Sequence, residues 1–173
     1  MSQRFKIAFF AIVAAQMVLL LAMIGVKEFT LRTGTTVVLQ TVPVDPRSLL
    51  QGDYVILQYK IATLPDYFRS GVRRLPKGTV VYVELTKGRE VWEARRSSYS
   101  LFEPKPGEVF IKGRVDDSGL LDFSLGTYFV PEGTGRAIER ASDIKVRATI
   151  NSRGNAVIKE ILVDGEPFSP GSR

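Results

Sequence analysis

Residues 7–26 form an unbroken apolar run in which Gln16 is the one strongly polar member and no charge occurs; beyond it, apolar and polar positions alternate in short bursts. The first pattern predicts a helix that spans about 30 Å, the thickness of a hydrocarbon core. The second predicts strands. Residues 35–41 are a β-branched run, and residues 54–61 put Val55, Leu57, Tyr59 and Ile61 on one face with Gln58 and Lys60 on the other. A third strand fits residues 79–85, and Lys87-Gly88-Arg89 supplies a tight connection to a fourth over residues 91–95. Two hairpins follow. Residues 109–115 and 120–130 flank Asp116-Asp117-Ser118-Gly119, and residues 144–150 and 156–163 flank the turn from Asn151 to Asn155. Helical signals are sparse after the anchor, one short segment at 64–70 and another at 134–141. Such strands, punctuated by Gly and Pro, predict an all-β domain, or α+β with a minor helix, arranged as an antiparallel barrel or sandwich behind one N-terminal transmembrane helix.

The chain divides accordingly into a cytoplasmic start and anchor over 1–26, a linker over 27–34, a β-domain over 35–168 and a flexible tail over 169–173. A cleaved signal peptide would carry a shorter apolar region ending at a small-x-small site, whereas this run exits through Ile24-Gly25-Val26-Lys27-Glu28. Arg4 and Lys6 precede the helix and a long segment follows it, which favours a cytoplasmic N-terminus and an extracytoplasmic domain. The formal charge of +6 is moderate and does not suit a nucleic-acid binder. Arg69, Arg73, Arg74 and Lys77 form the densest basic cluster, which suits a solvated loop better than a site for lipid headgroups or an envelope polyanion. With neither Cys nor His in the chain, disulfides, thiol catalysis and the commonest general base and metal ligand are excluded. No cofactor or metal is expected.

Three places have the residues for chemistry. In the first, Val44 to Asp53, Pro46 fixes one backbone angle, Gly52 permits a positive one and Asp53 can accept hydrogen bonds from turn amides. Asp53 is foremost a turn residue. Asp45 and Asp53 could also converge on a cation or substrate, with Tyr54 and Tyr59 as amphipathic contact groups. The stretch Gly52-Asp53-Tyr54-Val55-Ile56-Leu57-Gln58-Tyr59 resembles, letter for letter, the Gly-Asp-Tyr-x-x-Leu-x-Tyr signature of the GDYXXLXY family of bacterial membrane-anchored proteins, whose biochemical role is not established. That resemblance implies a single-pass protein of the bacterial cytoplasmic membrane with its C-terminal domain in the periplasm or outside. It also implies a multi-span membrane protein as partner, because family members are typically encoded beside one.

The layout is similar, more weakly, to type I signal peptidases, whose pattern is Ser-Met-x-Pro-Thr-Leu-x-x-Gly-Asp followed several strands later by a Lys base. Counting back from Gly52 places Val44 where the nucleophilic Ser belongs, Ser48 comes four residues late, and no Lys stands in Trp92-Glu93-Ala94-Arg95-Arg96. The likeness thus implies a related β-fold without the peptidase dyad.

The second place, Tyr128 to Arg140, also looks like a C-terminal portion of the GDYXXLXY family. Pro131 ends a strand, Gly133 and Gly135 permit an unusual backbone path, and amides at the start of a following helix could bind an anion. The ordinary reading is a capping turn, with Thr134 as N-cap and Glu132 and Glu139 pairing with Arg136 and Arg140. The third is the aromatic set Tyr67, Phe68, Trp92, Tyr99, Phe102 and Phe110, a sugar platform in principle and core filling by default.

The favoured function is a non-catalytic, membrane-tethered β-module that binds another envelope component, an integral membrane protein above all. Its binding candidates are Asp45, Asp53, Tyr54, Tyr59, Glu132, Arg136 and Glu139. The alternative is a carboxylate-dependent hydrolase of envelope polysaccharide using Asp53, Glu132 and Glu139, which requires two carboxyl groups about 5 to 10 Å apart. A meeting of the Gly-Asp-Tyr turn with the Glu132 loop would mark the binding site.

Overall fold

The computed structural model describes residues 3–42, 54–63, 75–131, 138, 141 and 143–168, all but the side chain of Tyr54. Helix α1 (Gln3–Thr33) is 31 residues long, about 46 Å, so the stretch expected as a linker carries its last two turns. Its apolar side chains are exposed along its length, and Thr30 is its one buried residue. By length and composition it meets the requirement for a single-pass membrane anchor, as a signal sequence also would.

One residue, Gly34, separates α1 from β1 (Thr35–Val42). Further along come β2 (Tyr54–Ile56), β3 (Gln58–Tyr59), β4 (Val80–Lys87), β5 (Trp92–Ser98), β6 (Glu108–Val115), β7 (Leu121–Asp122), β8 (Thr127–Phe129), β9 (Ile144–Ile150), β10 (Ala156–Val163) and β11 (Glu166–Pro167). All described pairings are antiparallel. They make a five-stranded sheet in the order β11-β10-β9-β1-β3, a four-stranded sheet in the order β5-β4-β6-β7, and a separate ladder of β2 and β8. Among the described residues the sheets do not close into a barrel, one of the two expected architectures. Val37, Leu39, Val146, Ala148 and Ile161 of the first sheet and Val81, Val83, Leu85 and Ile111 of the second belong to one buried cluster. Burying such faces against each other supplies the main driving force for the fold.

Two expected strands are broken, at points that face each other. The alternation over 54–61 holds, with Val55, Leu57, Tyr59 and Ile61 all buried, but the strand changes partners at Leu57: β2 pairs with β8, and β3 with β1. The strand expected over 120–130 likewise splits into β7, which pairs with β6, and β8, which pairs with β2. Ser124, between them, sits at a φ of 59°, a left-handed conformation that no strand can contain. The Asp122 carboxylate accepts from its amide at 2.7 Å. Across the break the Leu57 amide donates to the Gly126 carbonyl at 2.8 Å, and the buried Tyr59 hydroxyl donates to the Leu125 carbonyl at 2.8 Å. Of the short helix expected over 134–141 only Ile138, a core residue, and Ala141 are described; the helix expected over 64–70 lies outside the described residues.

The helix is fastened to the sheets as well as joined to them. The Asn151 amide donates to the Thr30 hydroxyl at 3.1 Å, and that hydroxyl donates to the Val26 carbonyl at 3.0 Å. A side chain at position 34 would lie 2.6 Å from the Ile150 carbonyl and 2.8 Å from that of Thr30.

Gly34→Ala is therefore expected to lower the melting temperature of the full-length protein in detergent, since the forced backbone shift costs about 1–3 kcal/mol; an unchanged melting curve would show the junction to be pliant. Tyr59→Phe leaves the Leu125 carbonyl without its donor and should cost about 1–3 kcal/mol in denaturant unfolding. Burial pushes the Tyr59 hydroxyl pKa up. Its contribution is therefore complete below its unfolded value of about 10 and declines as the pH rises above it. Between about pH 9 and 11 the Phe variant should thus lose less stability than the wild type, and parallel alkaline curves would contradict this.

Candidate functional site

The two motifs singled out in the sequence meet through their backbones. Tyr54 stands opposite Phe129, Val55 opposite Tyr128 and Ile56 opposite Thr127, so the end of the Gly-Asp-Tyr turn and the start of the 128–140 segment form one short ladder. Among the described residues neither strand pairs with anything else. Val55 is buried, while the Phe129 ring is 76% exposed, the most exposed large apolar residue of the described β-domain.

Beside this ladder lies a groove of about 550 Å³, lined by residues 56–59 and Ala62 on one wall and by Asp116, residues 120–124, Gly126 and Thr127 on the other. Its floor is apolar, with Leu57, Leu121 and Phe123. Its rim is polar, with Gln58, Asp122, Ser124 and Thr127. The two carboxylates on it are engaged in holding turns. Asp116 accepts from the Ser118 hydroxyl at 2.6 Å, the Ser118 amide at 2.8 Å and the Leu120 amide at 3.0 Å. Burial pushes its pKa up, but these bonds outweigh burial and hold the carboxyl below its ordinary value. Asp122 caps Ser124 as described. A polar rim over an apolar floor suits a polypeptide segment or a small polar molecule. Among the described residues no three acidic groups gather where a metal ion would need them.

Of the sequence candidates, Tyr54 and Tyr59 are placed here. Tyr54 contributes its backbone to the ladder. Tyr59 lines the groove, but its hydroxyl is committed to Leu125, so it frames the site and is not a free contact group. Asp45, Asp53, Glu132, Arg136 and Glu139 lie outside the described residues. So do Arg69, Arg73 and Arg74 of the basic cluster, whose described member Lys77 pairs with Asp117 at 2.7 Å.

Of the aromatic set, Tyr67 and Phe68 lie outside the described residues and Tyr99 is exposed. Phe110 is buried, Phe102 and Trp92 are half-buried, and the Phe110 ring meets Phe102 at a tilt and Tyr82 edge to face, with centroids 5.9 and 5.8 Å away. They roof a charged pair that sequence reasoning missed. Glu84 is only 1% exposed, and Arg96, opposite it in register, grips both its oxygens at 2.6 and 2.9 Å while lying 4.6 Å from the Phe102 ring centre. The signal was present in Val81-Tyr82-Val83-Glu84-Leu85, where Glu84 alternates onto the face away from the core, but its burial depends on a distant aromatic cover.

No curated protein and no solved structure matches the chain. A family model described as GDYXXLXY protein matches residues 16–161, from the middle of the anchor to β10, and the chain belongs to that family.

Proposed function

We propose that this protein is a membrane-tethered, extracytoplasmic binding module whose β2–β8 ladder and adjoining groove engage another envelope component, an integral membrane protein. The observation that carries the reading is the Tyr54–Phe129 pairing, which unites two motifs more than seventy residues apart in a small ladder outside both large sheets. Neither large sheet needs that ladder to complete its own pairing, and the ladder presents an aromatic ring to solvent. Exposed aromatics beside a polar-rimmed groove are the composition of interaction surfaces.

The tether supports the same reading. Because α1 runs to Thr33 and is bonded to Asn151, anchor and domain make one stiff unit, as a retained single-pass anchor would require and a removable leader would not. The positive charges before the helix favour a cytoplasmic N-terminus. β1 leads away from the anchor for eight residues, and its far end, Thr41–Val42, pairs with β3 at the groove. The site is thereby held roughly 20 Å beyond the helix end. The partner on this reading is a membrane protein whose extracytoplasmic part rises to that height.

The test is affinity purification of the tagged full-length protein from solubilised membranes at native abundance, with mass spectrometry of what accompanies it. A membrane protein is expected in near-stoichiometric yield. Phe129→Ser and Asp53→Asn should each reduce its recovery about tenfold, as loss of a central contact worth at least 1.4 kcal/mol would, with the melting temperature unchanged. Recovery of the wild type as a lone monomer would overturn the proposal.

A further inference from the structure

At the opposite end of the domain, the turn between β9 and β10 lies against the anchor and forms with it a groove of about 430 Å³. One half is apolar helix surface, where Ala22 and Gly25 leave a depression flanked by Phe29. The other half is the turn itself, with Ser152 and Arg153 exposed on it. The turn is fixed from both sides. Asn151 bonds Thr30, and the Gly154 carbonyl accepts from the Lys112 amide at 2.9 Å. Gly154 has a φ of +80° and packs so tightly on Phe110 that a side chain there would lie 2.8 Å from the ring.

The helix sets the depth of this groove. The apolar run ends at Val26 and Lys27 follows, so Ala22 lies about 6 Å inside the hydrocarbon boundary and Thr30 about 6 Å outside it. The headgroup layer is itself about 5–7 Å thick. The groove therefore straddles that boundary, with its basic group on the headgroup side. Arg153 makes no ion pair with any described residue.

On the reading that α1 is a retained anchor, we infer that this groove is a phospholipid site. An acyl chain lies over Ala22 and Gly25, and the lipid phosphodiester is bound by the Arg153 guanidinium and the Ser152 hydroxyl. A guanidinium matches a phosphate with paired donors, and an arginine at this depth is attracted to an anionic leaflet. The site is separate from the distal groove and needs no protein partner.

The chain has no cysteine, so single cysteines can report depth. Ser152→Cys and, as control, Ser118→Cys are labelled with a fluorophore in the full-length protein and reconstituted into vesicles of phosphatidylethanolamine and phosphatidylglycerol that contain headgroup-spin-labelled lipid. Ser118 follows β6, whose first residues lie beside Gly34 and Asn151 and whose Lys112 bonds Gly154; residues 113–115, roughly 10 Å of strand, and a further turn carry the chain from that contact to Ser118. Strong quenching is expected at 152 and none at 118. Native mass spectrometry of the detergent-released protein should find phospholipid retained by the wild type and by Arg153→Lys, and reduced about fivefold in Arg153→Glu, the share of one basic residue. Millimolar inorganic phosphate should not displace it; displacement would show a free-anion site and overturn the lipid assignment. Vesicle-bound protein without quenching at 152, or equal lipid retention by wild type and Arg153→Glu, would also overturn it. Protein that fails to float with vesicles would overturn the anchor reading and this one together, whereas loss of the partner alone would leave it standing.

Discussion

One glycine stands between a 31-residue helix and an interior strand of the larger sheet, and the placing of the helix on the domain follows from it. Gly34 donates its amide to the Thr30 carbonyl at 2.9 Å, closing the helix, and the next residue, Thr35, is already paired with Ile150 of β9. Carbonyl oxygens from helix and sheet occupy the space where a side chain would go, so the chain can make this turn only without one. A helix that passes directly into an interior strand cannot swivel freely on its domain. The Asn151–Thr30 bond adds a second fastening about one helical turn before the strand begins. Helix α1 and β1 thus define an axis along which the described elements are placed.

Along that axis the domain is polarised. At the near end are the β9–β10 turn and Arg153; at the far end are the β6–β7 turn, the broken strands and the groove. The breaks are forced by hydrogen-bond accounting. A buried strand must satisfy its amides and carbonyls, and an unpaired one costs about as much as a lost hydrogen bond. Where β3 joins β1 and β7 joins β6, the two chains diverge from each other's sheets. The residues between can be satisfied only by one another, through Leu57 with Gly126, Tyr59 with Leu125, and the three residue pairs of the β2–β8 ladder. The small ladder is what remains when two strands serve two different sheets at their other ends.

This explains which parts of the architecture were legible in the sequence. The long apolar helix, the strands read over 35–41, 79–85, 109–115, 144–150 and 156–163, and both hairpin turns appear as local alternation and local turn chemistry, and the structure has them to within a residue or two at their ends. The burial of every second residue from Val55 to Ile61 was legible too. The change of partner at Leu57 was not, because alternation records which face is buried and is silent about which neighbour supplies the hydrogen bonds. The left-handed Ser124 carries no glycine or asparagine to announce it. For the same reason the meeting of Tyr54 with Phe129 could be posed from the sequence only as a condition. Glu84 was hidden by the converse effect: its position on the strand says outward, and its cross-strand neighbours Arg96 and Phe110, distant in the chain, flank it where it is buried.

The family signature itself gains meaning from this arrangement. Leu57 and Tyr59, two of its named letters, are core residues at 5% and 4% exposure, and the Tyr59 hydroxyl holds the far wall of the groove through Leu125. A signature made partly of buried positions reports a geometry: two strands that cross between sheets and a hydroxyl that ties the crossing shut. Such letters constrain the shape of the groove and leave its chemistry to the residues on its rim, Gln58, Asp122, Ser124 and Thr127. The buried letters contribute to the stability of the frame, while the exposed rim residues are the ones a ligand could touch. Within this chain, then, the buried signature letters and the polar rim are different residues on the same two walls.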